Sequence, residues 1–366
     1  MRSGISAYVW LVALAFATVA AVSLPAAADD RQECSRGSKE AVAATIAACT
    51  RAIESGDYND RDLSNLYHQR GYSWSWTNLA DRVDRAFKDY TEAIRIDPKA
   101  GGSLLNRSRI YNQRRDYDRA IADANQAFAG GLSDYGKRVG YDERGYAYQA
   151  KGDNDRAIAD YTDSIQLDAN NIVVLAARGN AYLTKGDLDH AIADYDQVIA
   201  LDPKYAIAYY NRSLAYRAKG DLDRVIADCS QAIALYPKYR DAYFNRGYAY
   251  QAKGDFDRAI ADYGQMIALD PKDSDAYSRR AIAYLSKGDF RRSIADFGQG
   301  PTLSWLAIVV FLAMGLWLCY RTSTQRGRWS GRTMIEICAQ EVVEMQHRNT
   351  ALERIAAALE KHSSVS

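Results

Sequence analysis

The sequence predicts an all-α chain of about seven stacked helical hairpins, followed by one membrane-spanning helix and a short amphipathic tail helix. Three observations carry this. Gly-Asp recurs at Gly152, Gly186, Gly220, Gly254 and Gly288, each 34 residues after the last, and a fixed period of that length marks stacked supersecondary units. Within each period the apolar residues fall at helical spacing. After the last repeat comes an uncharged apolar run over residues 303–320.

Residues 1–28 open on Met1 and Arg2, pass through an apolar run from Tyr8 to Leu24 and close on Pro25-Ala26-Ala27-Ala28. This is the pattern of a secretory signal peptide, with cleavage after Ala28. An uncleaved anchor is the other reading, and both readings put residues 29–302 outside the cytoplasm. Residues 29–62 read as an N-terminal half-repeat. Cys34 and Cys49 lie there and would close a loop of about 15 residues, worth about 3 kcal/mol in an oxidising compartment. Cys229, Cys319 and Cys338 fall at a core position, in the apolar run and in the tail, with no evident mates.

The repeats occupy residues 63–300. KGDNDRAIADY, KGDLDHAIADY, KGDLDRVIADC, KGDFDRAIADY and KGDFRRSIADF follow one another in register, with divergent earlier copies at Asp84–Tyr90 and Asp116–Ala124. Three-residue insertions near Trp76–Val83 and Gly130–Lys137 account for the drift in spacing of those two. Each unit reads as two helices. Ala206–Lys219 is a first helix, and a Gly-Asp turn leads to a second that stops at Tyr236-Pro237. In that second helix Val225, Ile226, Cys229, Ala232 and Ile233 form a single stripe. Asp221 stands at a capping position, while Pro203, Pro237 and Pro271 close equivalent helices.

These residues resemble the tetratricopeptide-repeat family over roughly residues 40–300. The family's small positions are matched by Gly145, Gly179, Ser213 and Gly247, and by Ala157, Ala191 and Ala259. Its aromatic positions are matched by Tyr148, Tyr182, Tyr216, Tyr250 and Tyr284, and by Tyr161, Tyr195 and Tyr263, which explains much of the count of 27 tyrosines. Val225, Cys229, Ser293 and Ala169 depart from the pattern. The resemblance implies a right-handed superhelical solenoid whose first helices line a concave groove for a protein or peptide. By register, Tyr146, Gln149, Asn180, Tyr210, Asn211, Arg217, Phe244, Asn245, Tyr248 and Gln251 face that groove. About half of them are expected to touch a ligand, the others to pack. Carboxamides bond peptide backbones, and aromatic faces supply contact area. The basic pattern that clamps a C-terminal carboxylate in chaperone-binding members is not evident.

A second regularity pairs Arg70, Arg107, Arg144, Arg178, Arg212, Arg246 and Arg280 with Asp89, Asp123, Asp160, Asp194, Asp228, Asp262 and Asp296. One arginine on every first helix and one aspartate on every second predicts an inter-helical ion-pair ladder, favoured over the other reading, a charged strip for a ligand, because a stacking interface needs seven identical pairs and a ligand site rarely does.

The apolar run is long enough to span a membrane, at about 1.5 Å per residue against a core of about 30 Å. Trp305, Trp317 and Tyr320 sit near its ends, and Arg321, Arg326, Arg328 and Arg332 follow it before any acid. That bias places the C-terminus in the cytoplasm and the repeats in the periplasm of a bacterial inner-membrane protein. Gly300 and Pro301 cut the last second helix short, so no polar capping helix closes the array. In residues 321–366 the stripe Ile335, Cys338, Val342, Met345, Asn349, Leu352, Ala356 and Leu359 fits two readings. One is a coiled-coil homodimer with a polar seam residue; the other is a single amphipathic helix on the inner leaflet.

Charge excludes one function class: 47 basic against 46 acidic side chains give a net charge of +1, so no basic surface favours nucleic acid. No phosphate-binding loop, nucleophile elbow or metalloprotease motif occurs. His68, His190, His347 and His362 are the only histidines and are scattered. Neither enzyme activity, cofactor nor metal is expected. The reading is a membrane-anchored scaffold that binds proteins or peptides outside the cytoplasm; a transmembrane coupler working through a dimeric tail is the alternative.

Overall fold

A computed structural model describes residues 26–37 and 41–299 of the chain. Those residues form sixteen α-helices and no strand. In chain order they are α1 (Ala26–Arg36), α2 (Val42–Ser55), α3 (Asp60–Trp74), α4 (Arg82–Ile96), α5 (Gly101–Gln113), α6 (Tyr117–Ala129), α7 (Asp134–Ala150) and α8 (Asn154–Leu167). Then follow α9 (Ile172–Lys185), α10 (Leu188–Leu201), α11 (Ala206–Lys219), α12 (Leu222–Leu235), α13 (Arg240–Ala252), α14 (Phe256–Leu269), α15 (Ser274–Lys287) and α16 (Phe290–Phe297). Two compact units divide between Lys219 and Gly220. The first holds a leading helix pair, the hairpins α3–α4, α5–α6, α7–α8 and α9–α10, and α11. The second holds α12 and the hairpins α13–α14 and α15–α16.

The N-terminal segment differs from a half-repeat. It is a full helix pair, α1 and α2, joined by a disulfide between Cys34 and Cys49 with Cα atoms 4.8 Å apart. Both cysteines are buried with Ala48, Ala52 and Leu66, so the pair seals the end of the first unit's core. The first repeat helix already begins at Asp60, capped by the Asn59 side chain.

The hairpin turns follow from two residues. Gly152, Gly186, Gly220, Gly254 and Gly288 adopt φ between 78° and 85°, a left-handed conformation that costs glycine little. The aspartate after each accepts the backbone N–H three residues on, as Asp153 does from Arg156 and Asp255 from Arg258, so it ends one helix turn and starts the next. In the hairpin α5–α6 the sequence has no glycine here, and Arg115 takes the turn at φ 61°.

Close helix crossing depends on three further glycines. A Cβ at Gly145, Gly179 or Gly247 would stand 2.8–2.9 Å from the ring of Tyr161, Tyr195 or Tyr263. Those rings are buried between the helices of their hairpins, and the absence of a side chain on the facing helix is what admits them.

Among the described residues no helix is long and apolar enough to cross a membrane. The signal segment up to residue 25, the apolar run 303–320 and the tail helix 333–361 lie outside the described residues.

Arg115 generates a test. Replacing it with glycine keeps the left-handed conformation and removes its cost to an L-residue of about 1–2 kcal/mol, less the entropy glycine adds to the unfolded chain. Arg115→Gly is expected to raise stability by about 0.5–1 kcal/mol, measured as the midpoint of urea unfolding; a lowered midpoint defeats the account.

Candidate functional site

The ladder of arginines and aspartates is a structural clamp. Arg178 donates from Nε to Asp194 Oδ2 at 2.9 Å and from Nη2 to Oδ1 at 2.7 Å. The same fork joins Arg70 to Asp89, Arg107 to Asp123 and Arg144 to Asp160 in the first unit, and Arg246 to Asp262 and Arg280 to Asp296 in the second. In most of them the remaining terminal nitrogen reaches back to the second helix of the preceding pair. Arg178 Nη1 meets Thr162 Oγ1 at 3.1 Å, Arg144 Nη1 meets Asn125 Oδ1 at 2.6 Å, and Arg246 Nη1 meets Ser230 Oγ at 3.0 Å. The aspartates are buried. Burial pushes the Asp160 and Asp262 carboxyls above their ordinary range, against the pull of their arginines. Each fork therefore offsets a desolvation cost rather than adding a surface attraction.

A second ladder runs along the surface, and sequence reasoning missed it. Lys151 pairs with Asp118, Lys185 with Asp155, Lys253 with Asp223 and Lys287 with Asp257. Lys219 and Asp189 make the same contact at 2.5 Å, as do Arg114 and Asp84. Each links the end of a first helix to the start of the previous hairpin's second helix. The signal was the recurring Lys-Gly-Asp-x-Asp. An open depression of about 440 Å³ at Asp118, Tyr148, Lys151 and Arg156 is walled on one side by the Lys151–Asp118 pair. His190 keeps the role of the arginine it replaces: its ring stacks on Tyr182 at 5.1 Å, as Arg156 lies over Tyr148 at 4.6 Å.

The groove candidates separate into two kinds. The amides bracket the buried tyrosines. Gln149 Oε1 accepts from Tyr161 Oη at 2.9 Å, and Gln149 Nε2 reaches the Ala177 carbonyl at 3.4 Å. Asn180 Oδ1 accepts from Tyr195 Oη at 2.7 Å and from Asn211 Nδ2 at 3.0 Å. In the second unit Gln251 Oε1 accepts from Tyr263 Oη at 3.2 Å, and Asn245 is buried. Gln149, Asn180, Asn211 and Gln251 thus tie helix to helix. The aromatic candidates are more available. Tyr146 is 50% exposed, its ring edge against Tyr117, and Tyr248 is 41% exposed. Phe244 is half-buried beneath the Arg279 guanidinium at 5.0 Å, Tyr210 is half-buried, and Arg217 is exposed in the last turn of α11. Val173 and Ile207, absent from the candidates, are exposed on the same first helices; the overlooked signal was their position, Ile207 one turn before Asn211 and Val173 two turns before Asn180.

On that side of the first unit, α3 carries a titratable group in an apolar setting. His68 Nδ1 lies 2.9 Å from Ser103 Oγ, and its ring packs near Tyr90. Burial lowers its pKa to about 4 from an ordinary 6.5. Among the described residues no cluster of His, Cys, Asp and Glu could hold a metal ion.

Comparison with known proteins agrees with this architecture. Residues 179–220 match a TPR repeat model, residues 241–273 a tetratricopeptide repeat model, and residues 140–171 and 206–239 a further tetratricopeptide repeat model. The chain carries tetratricopeptide repeats. A tetratricopeptide repeat protein from Parabacteroides merdae is 18% identical, with TM-score 0.50 over 66% of this chain and 93% of its own. MamA is 32% identical, with TM-score 0.41 over 42% of this chain and 91% of its own. YrrB, described as a TPR protein with an unusual peptide-binding site, is 20% identical, with TM-score 0.47 over 53% and 95%. No curated protein matches the sequence.

Two measurements test the site's energetics. Arg178→Leu leaves Asp194 buried without its partner and is expected to cost about 3–5 kcal/mol, whereas Lys185→Met leaves the unfolding midpoint unchanged because an exposed pair contributes little. Equal losses in the two variants would refute the division into clamp and surface ladder. For His68, the unfolded chain takes up a proton as pH falls through 6.5 while the folded ring resists until about 4. Its contribution is thus complete above pH 6.5 and declines between there and 4. His68→Gln should flatten the fall in melting temperature over that window, and an unchanged slope would show that other groups set it.

Proposed function

We propose that this tetratricopeptide-repeat chain is a non-enzymatic scaffold, anchored in a bacterial inner membrane, that holds a protein or peptide on the first-helix faces of its repeats outside the cytoplasm. One observation carries the binding reading: each unit leaves aromatic side chains exposed on those faces, Tyr146 in the first and Tyr248 in the second, while the neighbouring amides are occupied in holding the hairpins together. Large rigid rings give contact area at low entropic cost. Tyr210, Phe244 and Arg217 complete the candidate surface within their own units. Gln149, Asn180, Asn211 and Gln251 are expected to act by positioning it.

Placement rests on the sequence. The signal pattern of residues 1–28, the apolar run 303–320 and the four arginines after it support a single-pass topology with the repeats in the periplasm. The stripe from Ile335 to Leu359 supports a tail that dimerises. In the alternative, ligand occupancy is passed through the membrane to that tail. Deleting residues 333–366 separates the two, since a scaffold keeps its activity and a coupler loses it.

One experiment addresses binding and placement together. Cysteine at position 146 or 248 is treated in spheroplasts with a membrane-impermeant maleimide that carries a photoreactive group, with position 189 on the surface ladder as control. Labelling before lysis and adducts from 146 and 248 but not 189 are expected. Labelling only after lysis would overturn the outer placement, and labelling without adducts above the control would overturn the binding face.

A further inference from the structure

The turn between α3 and α4 stands apart from the others. It runs over residues 75–81, where the turn between α9 and α10 needs only Gly186 and Asp187. Its backbone is ordered by its own bonds: Ser75 N–H donates to the Tyr72 carbonyl at 3.2 Å, and those of Trp76 and Thr77 donate to Ser73 and Trp74 at 3.1 Å. The two tryptophans here take opposite fates. Trp74 is held in the frame, donating from Nε1 to Asp89 Oδ2 at 3.1 Å, with the Arg85 guanidinium over its ring at 4.7 Å. Trp76 is 43% exposed with its ring edge-on to that of Tyr72, itself 40% exposed, and Leu79 is 46% exposed.

Charge around this turn is not balanced. Its acids are each engaged: Asp81 by Arg85 at 2.7 Å, Asp84 by Arg114 at 2.5 Å, Asp116 by Arg119 at 3.2 Å, and Asp118 by Lys151. Three cations are left over. Arg82, Lys88 and Arg115 are exposed, and among the described residues their side chains make no ion pair or hydrogen bond. Arg82 is tied to the turn by its backbone N–H, which donates to the Leu79 carbonyl at 3.3 Å. Lys88 stands where the six later repeats have alanine. Arg115 is brought to the start of α4 by its neighbour Arg114, which bonds Asp84 and lies over the Phe87 ring at 4.3 Å.

We propose that the α3–α4 turn is a second membrane contact: Tyr72, Trp76 and Leu79 enter the headgroup region of a bilayer, and Arg82, Lys88 and Arg115 meet its anionic lipid phosphates. This rests on the membrane placement proposed above. Tryptophan and tyrosine carry an apolar body and a polar handle, so they favour the boundary between acyl chains and water. Cations beside them complement an anionic leaflet. One ring pair and one leucine are too little for the core of a stable protein interface, which takes about 800 Å² from each partner. They suffice for a surface that a membrane span already holds close, because the second contact is then intramolecular and gains from a high effective concentration. The first hairpin is thereby held against the membrane.

The test uses the full-length protein and its Trp76→Phe variant in vesicles of phosphatidylcholine, with or without phosphatidylglycerol, whose acyl chains are brominated near the headgroup. Subtracting the variant's tryptophan emission from that of the parent isolates Trp76. In the vesicles with phosphatidylglycerol, bromination is expected to quench this difference emission about twofold or more, as for a ring at the interface. Arg82→Gln, Lys88→Gln and Arg115→Gly combined should remove the quenching, while Arg95→Gln at the other end of α4 should keep it. Melting curves confirm that these surface variants fold. Absence of quenching overturns the inference, and equal quenching without phosphatidylglycerol overturns its recognition of anionic lipid. Difference emission that shifts to the blue as protein concentration rises in detergent, with no quenching in vesicles, assigns the turn to a second copy of the chain and also overturns it. Flotation with the vesicles after an alkaline wash reports the span separately: protein that floats without quenching keeps its anchor and loses this contact, whereas protein that washes off overturns the anchor itself.

Discussion

The structure depends on a guanidinium that must satisfy a buried carboxylate. In each described hairpin with a fork, a first-helix arginine closes two bonds on a second-helix aspartate that is almost wholly out of solvent. A lone carboxylate there would be prohibitive, so the fork is a condition of folding more than a gain in energy. Because the planar donor accepts little angular error, it also dictates how the two helices of a hairpin lie. The third nitrogen extends the constraint to the hairpin before, from Arg144 to Asn125 or from Arg246 to Ser230.

Around that clamp the remaining interactions fall into place by burial. Glycines at 145, 179 and 247 admit the tyrosine rings that fill each hairpin, and the phenol hydroxyls must then find acceptors. They find them in Gln149, Asn180 and Gln251, which are thereby drawn from the exposed face into the frame. What is left for a ligand is aromatic area, together with those polar groups that the frame does not use.

Much of the fold was legible because its determinants are local or strictly periodic. The Gly-Asp turn, the aspartate caps and the stripe of Val225, Cys229 and Ala232 are set within a few residues of chain. The pairing of Arg178 with Asp194 was legible for another reason: identical charges recurring in step on both helices have few geometries that place them together. The leading helix pair was harder to see, since α1 makes its contacts through Cys34 and shares no period with the repeats. The candidate face was half legible. Register identified which side chains share a side of α7 or α9, yet it did not distinguish Tyr146, which remains exposed, from Gln149, whose carboxamide is held by Tyr161 and Ala177.

The sequence by itself determined the helical hairpin, its period, its turns and the partners of its buried charges, because helix periodicity, capping and charge recurrence act over short or repeated distances. Only the tertiary structure decided which polar groups remain available for recognition. An arginine has three nitrogens and an amide two functions, and how they are divided depends on distances between hairpins. Arg107 and Arg109 lie two residues apart on one helix: the first closes a fork on Asp123 within its own hairpin, and the second bonds Glu143 of the next through Nε.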